Sequence, residues 1–370
     1  MKLKTIAIAT GALLAVAVLV ALLRDPGGER REVGRSGQPV LLPEHMENVA
    51  KFRFDNGEDT ATIRSAERGW VIEEEFDFPV EQKFLRQFLL KLSELRLERR
   101  ITDKPEVFPE LGVLRPSENG GKREENRTGI EFTVIDADGE APFRAVFGNR
   151  RRSAEQGGAQ AGVSGSGGMY MRDLADDTVY IISGAPRIFT KSREWIKAVI
   201  LDFKAKKDLK RFRIQRANGE VIAVERIGEP PEEVDFKTKV DWRLDGVEDI
   251  SRLDQRVILE IAKGLGDLFL VRVSDPSLSP KETGRERIAV VNIELFDRRH
   301  FTVTLGEELD TEDFRQLTIE ATLDPSVDDP ELRKEVEEFN RIYKGRIFVV
   351  HSWVATRILP DREEYFIEEG

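Results

Sequence analysis

The chain has 370 residues and a net charge of −11, with 58 lysines and arginines against 69 aspartates and glutamates. That balance argues against a nucleic-acid partner, which needs a basic surface. The absence of cysteine excludes disulfides, thiolate metal sites and a cysteine nucleophile.

The first element is an uncharged apolar run from Thr5 to Leu23. As a helix its 19 residues cover roughly 28 Å, the thickness of a bilayer's hydrocarbon core. A cleaved signal peptide is the rival reading, since Ala15-Val16-Ala17 has the small-x-small form. The apolar run continues from Val18 to Leu23 past that site, and no cysteine is present to carry a lipid. Residues 1–24 therefore read as an uncleaved transmembrane anchor. Lys2 and Lys4 compete with Arg24, Arg30, Arg31 and Arg35, so local charge does not set the orientation.

Residues 25–43 read as a flexible polar tether, rich in glycine, proline and charge and without an apolar period. A first β-rich half is expected over 44–205. Val49, Phe52 and Phe54 lead into a turn at Asp55-Asn56-Gly57, and Ala61 and Ile63 alternate beyond it. Gly69-Trp70-Val71-Ile72 reads as another strand. Pro79 opens a helix carrying Phe84, Leu85, Phe88, Leu89, Leu92 and Leu95 at helical spacing, and a strand over Leu97–Ile101 leaves it. The hairpin Ile130–Ile135 and Phe143–Gly148 follows, then strands at Gly168–Arg172 and Thr178–Ser183. Pro116–Thr128 and Gly148–Gly168, the latter with seven glycines, read as loops.

The same order returns over 206–370. Leu209, Phe212 and Ile214 repeat the first strand, Asn218-Gly219 the turn, and Trp242 stands in the place of Trp70. Val257, Ile258, Ile261, Ala262 and Leu265 repeat the helix, and Val290–Leu295 with Phe301–Gly306 repeats the hairpin. Strands at Phe314–Leu323 and Arg346–Val354 complete this second half, with a helix inserted near 330–343. The expected fold is α+β: internally duplicated units of antiparallel strands with packed helices, behind one N-terminal transmembrane helix.

No motif carries legible chemistry. His45, His300 and His351 lack a second histidine at metal-ligand spacing and read as structural. Gly162-Val163-Ser164-Gly165-Ser166 misses the last glycine of a nucleophile elbow. Gly120-Gly121-Lys122 lacks the rest of a phosphate loop, and Gly264-Leu265-Gly266 meets Phe269 where a dinucleotide fingerprint wants glycine. Asp136-Ala137-Asp138-Gly139 starts like a calcium loop and is explained as a hairpin turn. The basic clusters Arg150-Arg151-Arg152 and Lys204, Lys206, Lys207 read as solvated surface, and Trp70 and Trp242 as core. No catalytic, cofactor-binding or metal-binding residue is singled out, and no cofactor is expected.

The order of features resembles an uncharacterised bacterial family, domain of unknown function 4340. The resemblance rests on the N-terminal anchor and on Val49-Ala50-Lys51-Phe52-Arg53-Phe54, Gly69-Trp70-Val71, Leu92–Leu97 and Leu111-Gly112-Val113. It continues through Gly168–Arg172, Val179–Ile182 and Trp195, ahead of Leu209-Lys210-Arg211-Phe212. It covers roughly Leu42 to Val273 and includes no catalytic residue. It implies a membrane-anchored body outside the cytoplasm, of the kind described as auxiliary to ABC-type transport systems.

The expected role is thus a non-enzymatic accessory or scaffolding module of a bacterial envelope or transport complex. The chain would be single-pass in the inner membrane, held in the bilayer through residues 5–23, with a periplasmic body and protein partners. The alternative is an envelope glycan- or peptide-binding protein, or a hydrolase, using carboxylates whose pairing appears only in three dimensions.

Overall fold

A computed structural model describes residues 35, 37–151, 168–183, 187–235, 237–278, 286–309 and 313–367. The anchor, the tether before Arg35 and the interior of the glycine-rich loop, with Ser164, lie outside the described residues. Among the described residues, no helix is long and apolar enough to cross a membrane. The chain divides into two compact units, one ending at Ile196 and the other beginning at Lys197. Both are α+β and built on antiparallel sheets.

In the first unit, β1 (Val49–Asp55), β2 (Thr60–Ala66), β3 (Gly69–Ile72) and β4 (Phe78–Pro79) precede helix α1 (Gln82–Glu94). Then come β5 (Leu97–Thr102), the single turn α2 (Phe108–Leu111), and the hairpins β6 (Ile130–Asp136)–β7 (Phe143–Arg150) and β8 (Met169–Asp173)–β9 (Thr178–Ile182). They form one nine-stranded sheet in the order β4-β3-β2-β1-β6-β7-β8-β9-β5. Alternation sends Phe52 and Phe54 inward on β1, and Phe132 and Val134 on β6. Helix α1 lays Leu85, Phe88, Leu89 and Leu92 on that face. The Glu81 carboxylate caps its N-terminus by accepting from the Lys83 N–H. The helix starts at Gln82 rather than Pro79, because Pro79 pairs with Val71 as part of β4.

The second unit runs β10 (Val199–Asp202), β11 (Leu209–Arg216), β12 (Val221–Arg226), β13 (Trp242–Leu244), α3 (Gln255–Gly266), β14 (Asp267–Phe269) and β15 (Arg272–Val273). It continues with β16 (Arg287–Leu295), β17 (Arg299–Glu308), β18 (Phe314–Leu323), α4 (Pro330–Tyr343), β19 (Phe348–His351) and α5 (Ser352–Ile358). Eight strands form a sheet in the order β13-β12-β11-β16-β17-β18-β19-β15, while β10 pairs separately with β14. Pro330 at the first helical position and the Asp329 carboxylate, accepting from two backbone N–H groups, set the start of α4. The strand expected to run to Val354 stops at His351. The Ser352 N–H turns to the Asp313 carbonyl, and Val354, Ala355 and Ile358 are then buried at helical spacing.

The two sheets share one strand order, down to the register. Phe52 lies between Ile63 and Val134, as Phe212 lies between Val224 and Ile293. A bulge between Val49 and Lys51 recurs between Leu209 and Arg211. Trp70 faces Ser65, Trp242 faces Arg226, and both indoles are buried. The chain ahead of each first strand also has a common place. Leu97 donates its N–H to the Gln38 carbonyl, and Leu270 donates to the Ala198 carbonyl. Val40 and Leu41 are buried beside β5, so the polar stretch read as tether is fastened to the first unit from Arg35 onward. There Arg35 pairs with buried Asp173 and lies over the Tyr180 ring.

Gly264 and Gly266 serve close packing inside α3. A Cβ on Gly266 would fall within van der Waals distance of the Phe203 carbonyl oxygen, and one on Gly264 would press on Ile358 and Arg357. Gly266→Ala is therefore expected to destabilise the protein by about 1–3 kcal/mol through overpacking, outweighing a gain of up to about 1 kcal/mol in helix propensity. Urea unfolding of wild type and variant decides the sign.

Candidate functional site

The outer face of the first sheet is divided in two. Over β7 to β9 it is covered by a strap of residues 105–129. Phe108 and Val113 from the strap form a small second core with Val146 and Val179, and Ile101, Leu111 and Tyr170 pack around it. The segment expected as a loop over Pro116–Thr128 belongs to this strap. It is a loop apart from one 3-10 turn, Pro116–Asn119, and lacks an apolar period because the covering side chains, Phe108, Leu111 and Val113, all precede it. Gly129 and Gly148 let it lie close; a Cβ on Gly148 would meet the Leu111 carbonyl oxygen at 2.6 Å.

Ion pairs fasten the strap to the sheet. Buried Arg172 on β8 donates to both Glu118 oxygens at 2.8 and 3.0 Å and to Asp177 at 3.0 Å, with its guanidinium 4.1 Å from the Phe108 ring. Arg115 donates to the two Glu131 oxygens at 3.1 and 3.3 Å, and Arg144 adds a bond to Glu131 at 2.7 Å.

Next to the strap, the face over β1, β6 and β7 is a depression of about 400 Å³. Arg53, Arg115, Arg144, Asp55, Glu131 and Thr133 line it. Arg53 is opposite Thr133 and Thr133 opposite Arg144, so the three form one cross-strand row. Asp55 accepts from Arg53 at 3.1 Å. Burial raises the pKa of the Glu131 carboxyl, but hydrogen bonds and charges from Arg115 and Arg144 outweigh this and hold it below the usual carboxylate range. Burial also opposes ionisation of Glu118, and Arg172 with the Arg115 backbone N–H reverses that. With both oxygens engaged by guanidiniums, Glu131 is a counter-ion rather than a base.

Because both carboxyls titrate lower in the folded state, they stabilise it above their ordinary value of 4.5. That stabilisation is lost as pH falls through the depressed folded values. Amide protection in 105–129, relative to the intrinsic exchange rate at each pH, is expected to fall below about pH 4.5, ahead of the β1–β6 ladder. A uniform fall across the unit would contradict this.

The histidines lie elsewhere. His45 is half-buried against Phe143 and accepts the Leu42 N–H at 3.2 Å, and burial pushes its pKa down. His300 lies on β17 opposite Glu294 and Thr322. His351 is exposed, with its ring stacked on Trp353 and tilted against Phe314. Asp136 to Gly139 form the β6–β7 turn, closed by the Gly139 N–H on the Asp136 carbonyl. Trp195 is fully buried in the first unit and donates to the Phe189 carbonyl. Among the described residues, no group of three histidine, aspartate or glutamate side chains is placed to hold a metal ion.

The row Arg53–Thr133–Arg144 escaped the reading of the sequence, because isolated charges on alternating strands look like any solvated face. Aligning the two halves strand by strand would have exposed it, since the second half has no matching charges on β16 and β17.

A family model described as a domain of unknown function, DUF4340, matches residues 70–268, from β3 in the first unit to β14 in the second. The chain belongs to the DUF4340 family. No curated protein matches, and no solved structure matches. The matched stretch contains Arg115, Glu131, Thr133 and Arg144, while Arg53 lies before it.

Proposed function

We propose that this DUF4340 protein is a membrane-tethered, non-enzymatic accessory module of a bacterial envelope or ABC-type transport complex, with its body outside the cytoplasm. The observation that carries the reading is the uncharged run from Thr5 to Leu23, long enough to cross a bilayer as a helix. Arg35 is already fastened to the first unit. Eleven residues, 24–34, lie between the apolar run and Arg35, and eleven residues reach at most about 36–40 Å, which keeps the body within reach of membrane partners. The matching registers of the two sheets favour an origin by duplication of one unit.

Membrane fractionation tests the reading. The protein should stay in the pellet after alkaline carbonate washing and enter solution only with detergent. A reporter fused after Gly370 should be active in the periplasm, and purification in mild detergent should recover membrane partners at constant ratio. Release by carbonate, or purification without any partner, would overturn it.

A further inference from the structure

We propose that the Arg53–Thr133–Arg144 row binds a carboxylate carried by an acidic peptide segment of a partner protein; this rests on the accessory-module reading and names what that module grips. Arg53 and Arg144 stand two strands apart, about 10 Å between backbones at ordinary strand spacing. Their long side chains can close on one anion above Thr133, whose hydroxyl makes no hydrogen bond among the described residues. Arg53 spends one nitrogen on Asp55 and Arg144 one on Glu131, so each keeps N–H donors for a ligand. Three arginines against two carboxylates leave the depression with a positive charge.

The second unit supplies an internal control. In the same register it carries Arg213, Asn292 and Thr302, and Val290 stands where the first unit has Glu131. Thr302 closes on Asn292 at 3.2 Å, and Arg213 reaches only Gln215 at 3.4 Å. The same sheet thus forms without the ionic cluster, so the fold does not require it. Buried Arg226 makes the contrast clear. Its guanidinium lies within 6 Å of the Trp242 and Phe296 ring centroids and donates to the Lys206 carbonyl, and the residue is buried.

The apolar part of the lining favours a peptide over a free anion. Ile135 and Ala141 beside the arginines offer apolar surface for its methylenes.

The test is titration calorimetry on the full chain in non-ionic detergent, using acetylated hexaglutamate, hexaglutamine and inorganic phosphate as probes. Hexaglutamate should bind, more weakly at 500 mM than at 50 mM NaCl, and hexaglutamine should not. Arg144→Gln and Arg53→Gln should each weaken hexaglutamate at least about tenfold, the size of one charged hydrogen bond lost. Arg213→Gln in the second unit should change nothing. Arg53 is exposed and ion-paired with Asp55 rather than with the half-buried Glu131, so its variant remains informative if Arg144→Gln fails to fold. Absent hexaglutamate binding, equal affinity in the Arg53→Gln variant, or binding of phosphate alone overturns the proposal. Fractionation is independent of this binding, so failure here leaves the membrane reading standing, whereas release by carbonate removes that reading whatever hexaglutamate does.

Discussion

Replacing Phe132 by alanine is expected to destabilise the first unit by about 4 kcal/mol, the middle of the range for removing a buried aromatic ring. Phe132 is fully buried, with ring centroids 5.0 Å from Phe54, 5.6 Å from Phe88, 6.1 Å from Phe143 and 6.2 Å from Phe52. These neighbours come from β1, β7 and α1, so the site cannot collapse by moving one element. The lost ring leaves a cavity as well as lost transfer energy, and the aromatic pairs contribute beyond burial. The register equivalent in the second unit is Val291, where truncation removes two methyl groups and should cost much less. Denaturant unfolding followed by tryptophan fluorescence reads the difference, because Trp195 stacks on Phe54 and meets Phe88 edge-on in the same cluster. A loss under 1 kcal/mol for Phe132→Ala would show that the cluster does not hold the unit together.

Arg172→Ala is expected to cost about 3 kcal/mol, by analogy with other buried pairs broken on one side. The effect should concentrate in the strap. Arg172 has a 6% exposed side chain, and its two carboxylate partners are 34% and 59% exposed. Water can therefore rehydrate Glu118 and Asp177, which keeps the cost below the largest values for buried pairs. The guanidinium stacked on Phe108 is lost as well, opening the small core beneath. Amide exchange in 105–129 should rise far more than in β1 or β6. Arg172→Met, which keeps bulk over Phe108 without the charge, should recover part of the protection. If the two variants behave alike, packing plays no part; if neither changes exchange in the strap, the ion pairs do not fasten it.

Much of the fold was legible because its signals are local. Phe52 and Phe54 against Leu209, Phe212 and Ile214 show strand alternation directly. Leu85, Phe88, Leu89 and Leu92 show a helical stripe, and Asp329-Pro330 marks a helix start. The two tryptophans fell in one register because each stands on the third strand of the same three-stranded run, β1-β2-β3 and β11-β12-β13. Features that depend on distant partners were not legible. Pro116–Thr128 reads as a loop and is one, but its fastening to β8 through Glu118 and Arg172, 54 positions apart, left no local sign. Val40 and Leu41 are two apolar residues among prolines and glycines, and only the carbonyls of β5 show what they are for. Arg53, Thr133 and Arg144 are separated by 80 and 11 positions and become neighbours only through the β1–β6 and β6–β7 ladders.

The fastening of residues 37–41 bears on where a soluble fragment can begin. The Gly37 N–H meets the Leu97 carbonyl, the Val40 N–H meets the Leu95 carbonyl, and the Leu97 N–H meets the Gln38 carbonyl. A fragment started at Pro43 would bare the outer rim of β5 and the apolar surface that Val40 and Leu41 cover. An uncovered strand rim of this kind invites pairing with another chain. Self-association of such a fragment would then be an artefact of truncation, and a body cut at Arg35 or earlier would be the fair test of oligomeric state.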